Sequence, residues 1–294
     1  MVENFAMTMD CKFCRYTLTI KGEKRAIVKP WVMGILNVTP DSFYSGSRMG
    51  VDEMRIGERV EEILKEGGDI IDIGAYSTRR NADDISPEEE YSRLKIGLNV
   101  IKNIDANAIV SVDTFRADVA RRCVEEFGVD IVNDVSGGTL DDDMFATVAN
   151  LKVPYILMHM RGTPATMQQL TEYNDVTRDV IDDLHKKKCA LNDLGIDDVI
   201  IDPGFGFSKI VEQNFEMLNR LEDFKQLDAP LLVGVSRKTM IYRTLGCTPV
   251  ESLNGTTVIN TISLLKGAHI LRVHDVKEAV EVCKLVGSTI GARY

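Results

Sequence analysis

The chain has 294 residues, 44% of them hydrophobic and 27% charged, with a formal net charge of −10. No apolar run approaches the roughly 20 residues that cross a bilayer, and the acidic balance argues against a nucleic-acid-binding protein, which needs clustered Lys and Arg. An anionic small substrate fits such a chain only where positive charge is concentrated locally.

The first 15 residues, MVENFAMTMDCKFCR, lack the basic start and apolar stretch of a secretory signal, so a cytoplasmic location is expected. Cys11 and Cys14 form a CxxC, but with no second ligand pair nearby they read as part of a bland N-terminal segment rather than as a zinc or redox site. Residues 16–28 hold two short β-prone runs around KGEK, which predict a hairpin closing the bottom of the following domain.

Eight Ile- and Val-rich segments follow, at 31–39, 69–75, 108–114, 130–136, 155–160, 199–206, 230–236 and 269–275. Near-continuous apolar runs are the mark of strands covered by helices on both faces. Amphipathic stretches lie between them, at 54–67, 88–104, 116–128 and 214–224, and read as helices. The 160–198 interval predicts an extended loop and then a long helix. Gly67, Gly128, Gly195 and Gly267 stand where a helix is expected to end in a left-handed residue. Eight strand-then-helix units with no linker predict an α/β fold, a (β/α)8 TIM barrel. Residues 1–29 would be an extension carrying the hairpin and residues 30–294 the single barrel domain, with a doubly wound open sheet as the rival architecture.

In such a barrel, chemistry sits at the C-terminal strand ends, where the loops converge. Polar residues fall there on every strand: Asn37; Thr78 and Arg79; Asp113; Asn133 and Asp134; His159 and Arg161; Asp202; Ser236, Arg237 and Lys238; and Arg272, His274 and Asp275. Each alone has a structural explanation, but together they imply a polar cavity, since unpaired buried polar groups are costly. Asp113, Asn133 and Asp202 offer acceptors for a donor-rich heterocycle, while Arg79, Lys238, Arg272 and His274 suit phosphate or carboxylate oxygens. The glycines of DPGFGFSK would allow a sharp turn that brings Phe205 or Phe207 to a flat ligand. Lys238 could alternatively form a Schiff base, although its place inside SRK favours anion or ring contact.

The ordered motifs MGILNVTPDSF, STR, SVDT, NDVSGG, LMHMRGTPATMQ, DPGFGF, VGVSRK and LRVHD closely resemble the dihydropteroate synthase family from about residue 30 to residue 285. The resemblance implies a barrel that joins 6-hydroxymethyl-7,8-dihydropterin pyrophosphate to p-aminobenzoate in folate biosynthesis, and a target of sulfonamide mimics of p-aminobenzoate. It puts Asp113, Asn133, Met158, Asp202, Phe207 and Lys238 around the pterin, with Asp113, Asp202 and Lys238 as the catalytic set. Thr78, Arg79 and Ser236 would face p-aminobenzoate, Arg272 and His274 the pyrophosphate, and Asn37 a Mg2+ ion, with the TPDSF loop folding over the site. A homodimer is expected by the same resemblance.

Tyr76, Arg80 and Asn81 stand where the family carries Glu, Pro and Gly, which gives the second loop a different backbone preference. There are two rival readings: a pterin-binding protein that has lost synthase activity through this altered second loop, and a methyltetrahydrofolate-dependent methyltransferase, which resembles this fold and binds a pterin but would lack the NVTPDSF and SRK loops and need a corrinoid partner.

Overall fold

In the computed structural model, which describes residues 16–39, 52–76 and 85–289, a hairpin of β1 (Thr17–Ile20) and β2 (Glu23–Ala26) precedes eight parallel strands. These are β3 (Trp31–Asn37), β4 (Ile70–Gly74), β5 (Val110–Asp113), β6 (Ile131–Asp134), β7 (Tyr155–Met158), β8 (Val199–Asp202), β9 (Leu232–Val233) and β10 (Ile270–Val273). They pair in the order β8-β7-β6-β5-β4-β3-β10-β9. A single bridge between Ile201 and Leu231 brings β8 to β9 and closes the ring. Each strand therefore neighbours the next in sequence, which is a barrel and not a doubly wound sheet.

The connecting helices are α1 (Glu53–Lys65), α2 (Pro87–Ile104), α3 (Ala117–Phe127), α4 (Met144–Leu151), α5 (Val176–Asp193), α6 (Val211–Asn219), α7 (Thr239–Leu245), α8 (Leu253–Leu265) and α9 (Val276–Thr289). Local chemistry sets their limits. The Asp52 carboxylate caps α1 by accepting from the Met54 and Arg55 N–H groups, and Ser86 with Pro87 opens α2. At the far ends Gly67, Gly128, Gly195 and Gly267 all take positive φ, between 71° and 101°, as the sequence predicts.

Two expected elements differ. The helix predicted over 214–224 ends at Asn219 and continues as a 3-10 helix, Leu221–Leu227. Leu221, Phe224 and Leu227 are all buried, and their three-residue spacing shares one face only in the tighter helix. The seventh barrel strand, predicted over 230–236, pairs over Leu232 and Val233 only, beyond the Leu231 bridge. Pro230 has no N–H to donate, and the chain beyond Val233 leaves the ladder to carry Ser236 toward β10.

The barrel interior changes character along its axis. At the N-terminal end Met33, Ile70, Ile131, Ile156, Ile200, Leu232 and Ile270 form one apolar layer, plugged by Leu18, Ile20 and Ile27 from the hairpin segment and by Trp31. Side chains two residues on point to the same face of a strand. On β4, β6, β7, β8 and β10 those next positions are Asp72, Asn133, Met158, Asp202 and Arg272. The floor of the site is thus hydrophobic and its walls are charged.

Candidate active site

The centre of the upper layer is an ionic network. Arg272 on β10 donates from Nε to Asp72 Oδ2 and from Nη2 to Asp113 Oδ2, both at 2.6 Å. The Asn133 amide donates to the two Asp72 oxygens at 3.3 and 3.2 Å. Asp72 is fully buried, so one guanidinium between two carboxylates keeps a buried charge from standing alone. Burial pushes the Asp113 carboxyl up to about 7 against the pull of Arg272, with Asp72 adding to the rise. Arg272 is held above its ordinary value by Asp72 and Asp113 in spite of its burial.

Asp202 stands at the end of β8 with 6% of its surface exposed, and its Oδ1 accepts the Gly204 N–H at 2.8 Å. Burial raises its pKa, and the Lys238 charge is the largest force in the other direction. Lys238 itself, lowered to about 8 by burial, donates to the Phe205 carbonyl and lies 4.7 Å over the Phe207 ring. That geometry fits a ring or anion contact rather than a Schiff-base amine. Gly206, at φ 82°, lets the loop pass the Lys238 stem, since a Cβ there would sit 3.1 Å from its Cδ. Of the two aromatic candidates in this loop, Phe205 is wholly buried in the outer core, and Phe207 packs beside Met158, Val135, Met160 and Met167. An apolar wall therefore faces a carboxylate and a lysine.

On the other side Ser236 and His274 form a pair. The Ser236 Oγ accepts the His274 backbone N–H at 3.2 Å and lies 3.0 Å from its Nδ1. Desolvation and then the Arg272 charge push the imidazole down to about 4, although the residue keeps an exposed edge. With Nδ1 turned to the Ser236 hydroxyl, Nε2 is the ring nitrogen left to meet a ligand.

Several polar strand-end residues hold loops instead of facing this cavity. Arg237, at φ 56°, makes a two-point ion pair with Asp275 at 3.0 and 2.8 Å and also bonds the Pro249 and Val250 carbonyls. Asp134 accepts the Tyr155 hydroxyl at 2.6 Å and the Ser136 and Gly138 N–H groups. Arg161 stacks 3.7 Å over the Tyr173 ring, and His159 is buried against Lys209. A separate cavity of about 450 Å³ is lined by His159, Arg161, Asp183 and Lys187 among others. Its Lys187 is paired to Asp183 at 2.9 Å.

Asn37 closes β3, half-buried at the rim. Thr78, Arg79, Arg80, Asn81, most of the TPDSF loop, Cys11 and Cys14 lie outside the described residues. Tyr76, the last residue described before the second loop, meets Phe115 edge-on at 5.0 Å with the Arg116 guanidinium 5.4 Å from its ring. Arg116 is in turn paired to the buried Glu90 of α2. An aromatic and cationic cluster thus occupies the position where the resemblance predicts a carboxylate.

Asp72 was not among the residues predicted from sequence. A charged residue inside the apolar run IIDIG was the available signal, because such a strand is covered on both faces and an unpaired carboxylate there is too costly to keep.

Residues 33–274 match the family model described as pterin binding enzyme. The chain is 39% identical to the folate synthesis bifunctional protein of Arabidopsis thaliana, covering 90% of this chain and 58% of that protein. It is 37% identical to the dihydropteroate synthase of Escherichia coli K12, covering 94% of this chain and 97% of the relative. The dihydropteroate synthase of Xanthomonas albilineans, solved with 4-aminobenzoic acid, superposes with a TM-score of 0.83 at 33% identity, over 95% of this chain and 99% of that one. A barrel whose upper layer gathers Asp72, Asp113, Asn133, Asp202, Lys238 and Arg272, and whose sequence matches these proteins along nearly its whole length, belongs to the pterin-binding dihydropteroate synthase family.

Proposed function

We infer that the chain is a dihydropteroate synthase, a transferase of folate biosynthesis that condenses 6-hydroxymethyl-7,8-dihydropterin pyrophosphate with p-aminobenzoate to give 7,8-dihydropteroate and pyrophosphate. The observation that carries this reading is the convergence of Asp72, Asp113, Asn133, Asp202, Lys238 and Arg272 on one end of the barrel, above an apolar floor. We assign Asp202 to the amino-pyrimidine edge, where one carboxylate accepts two parallel N–H bonds, with Asp113 and Asn133 on the remaining polar edge. Met158 and Phe207 cover the flat faces, and Lys238 sits between ring and anion.

The C–O bond to pyrophosphate breaks first and its electron pair leaves with the pyrophosphate. The electron-rich pterin spreads the resulting positive charge, and the p-aminobenzoate nitrogen then attacks the methylene carbon and loses a proton. No enzyme nucleophile is needed. Arg272 and His274, through its Nε2, hold the leaving pyrophosphate, and these preformed donors act where charge develops. Asn37 fits a Mg2+ ion held chiefly by pyrophosphate. This hard cation takes oxygen ligands, many of them from waters and substrate phosphates, and the Asn37 amide oxygen would be one from the protein. When bound it would neutralise charge on the leaving group.

We assign Thr78, Arg79 and Ser236 to p-aminobenzoate. Arg79→Ala is expected to raise the KM for p-aminobenzoate about tenfold or more, as loss of a charged hydrogen bond does, and Arg80→Ala to leave it within about twofold. Equal effects would remove the assignment. Pyrophosphate release measured with and without p-aminobenzoate tests the function itself. Release that requires both substrates supports a synthase, whereas pterin binding without product would favour an inactive pterin-binding protein.

We propose a homodimer formed through α7 and α8. Leu245, Val250, Val258 and Leu265 in this region are exposed large apolar residues, and sedimentation equilibrium reads the mass directly. We place the enzyme in the cytoplasm, in keeping with the free thiols of Cys123, Cys189 and Cys247.

A further inference from the structure

We propose that Lys209 is a positioning residue of the pterin pocket: from beneath the loop after β8 it fixes the backbone that carries Asp202, Phe205 and Phe207 to Lys238. Three polar atoms meet its amine group, each at 3.0 Å: the Gly204 carbonyl, the Phe207 carbonyl and Nδ1 of His159. An ammonium group has three N–H bonds to give, one for each of these partners. Lys209 is 3% exposed and His159 1% exposed. A buried cation with no carboxylate bonded to it costs several kcal/mol, so its place here is explained by what it holds.

What it holds is a segment several of whose backbone groups bond to side chains. The Gly204 N–H goes to Asp202, the Phe205 carbonyl to Lys238, the Gly206 N–H to Asn214 and the Gly206 carbonyl to Gln168. Gly204, Gly206 and Ser208 all have positive φ, at 71°, 82° and 48°. A Cβ at position 204 would come within 2.0 Å of the His159 carbonyl oxygen. Glycine takes such angles freely, but a non-glycine residue such as Ser208 keeps them only where surrounding bonds over-determine its backbone. Lys209 makes two of those bonds and ties them to the end of β7 through His159. Burial keeps His159 neutral, well below its usual pKa, so its Nδ1 meets the Lys209 amine without bringing a second positive charge.

The charge reaches the site as well. Asp202 faces Lys238, Arg272 and Lys209, all of which favour its ionised form against burial. Lys209 faces Asp202, Lys238, Arg161 and Asp183, and burial brings it down to about 7. Replacing it with an uncharged residue therefore raises the pH at which Asp202 takes up a proton.

The inference rests on the assignment of Asp202 to the pterin, and the test separates the two. In the full-length protein, Lys209→Met is expected to raise the KM for pterin pyrophosphate about tenfold, the equivalent of about one charged hydrogen bond. The KM for p-aminobenzoate stays within about twofold, and the acid limb of kcat/KM for the pterin moves to higher pH. An unchanged pterin KM, or equal losses for both substrates with the acid limb in place, would overturn the role. His159→Leu and His159→Gln serve if Lys209→Met does not fold. Leucine removes one of these partners and should raise the pterin KM about threefold, whereas glutamine keeps an acceptor oxygen and should restore it. Pterin KM values for His159→Leu that equal the parent's would equally sink the proposal. Asp202→Asn in the same assays tests the underlying assignment: an unchanged pterin KM there removes Asp202 from the pterin, whatever Lys209 does.

Discussion

The two ends of the barrel are built on the same strands, two residues apart, and obey opposite rules. At the hairpin end Ile70, Ile131, Ile156, Ile200 and Ile270 fill the interior with hydrocarbon, and nothing there needs a partner. At the loop end Asp72, Asn133, Asp202 and Arg272 occupy the next inward positions: Arg272 and Asn133 bond to Asp72, and the Gly204 N–H bonds to Asp202. The lower layer stabilises the fold by withdrawing apolar surface from water. The upper layer spends part of that stability on charges held ready for a ligand.

Removing the hub of the upper layer should have the largest effect. Arg272→Leu leaves Asp72 and Asp113 without their shared cation, which is expected to destabilise the fold by about 3–5 kcal/mol. Turnover should fall by about a hundredfold or more, since donors to a developing charge are lost. Denaturant midpoints and pyrophosphate release measure the two separately. Ile200→Ala in the lower layer should cost about 2–5 kcal/mol of stability and leave both KM values within about twofold. A large KM change there would mean that the two layers are not independent.

A smaller effect concerns pH. Asp113 is raised from 3.8 to about 7, chiefly by burial. Folding favours its neutral form, so its stabilising share is complete below about pH 4 and is lost as the pH rises through about 7. The thermal midpoint of Asp113→Asn, neutral throughout, is therefore expected to gain on the parent across that window. A constant difference from acid to neutral pH would show that Arg272 fully compensates the carboxylate.

The barrel was legible in the sequence because its strands are covered on both faces, so each reads as an unbroken apolar run, and because glycine at positive φ punctuates the helix ends. The 3-10 helix after α6 escaped because Leu218, Leu221 and Phe224 satisfy a three-residue and a mixed three- and four-residue spacing alike. The site was legible as a set of polar strand ends, but a set does not say which members face each other. Arg237 and Asp275 look like ligands in the sequence and are a clamp in the fold. Asp72 and Lys209 are concealed for the opposite reason: one lies inside an apolar strand and the other behind a glycine loop, and only a contact made across the fold gives either a role.

The closing bridge between β8 and β9 gives the ring one thin seam. A single bridge joins Ile201 to Leu231, and the amide of Ile201 reaches the Pro230 carbonyl at 2.9 Å. Breathing of the cylinder should begin there, and amide hydrogen exchange at Ile201 should be the fastest in the ring. Asp202 and Lys238 lie on opposite sides of that seam. A ligand spanning them would act as a clasp, and by mass action its saturation would slow exchange at Ile201 far more than in β4 or β5, away from the seam. The rate at which this gap opens would then be an isotopic meter of occupancy in the active site.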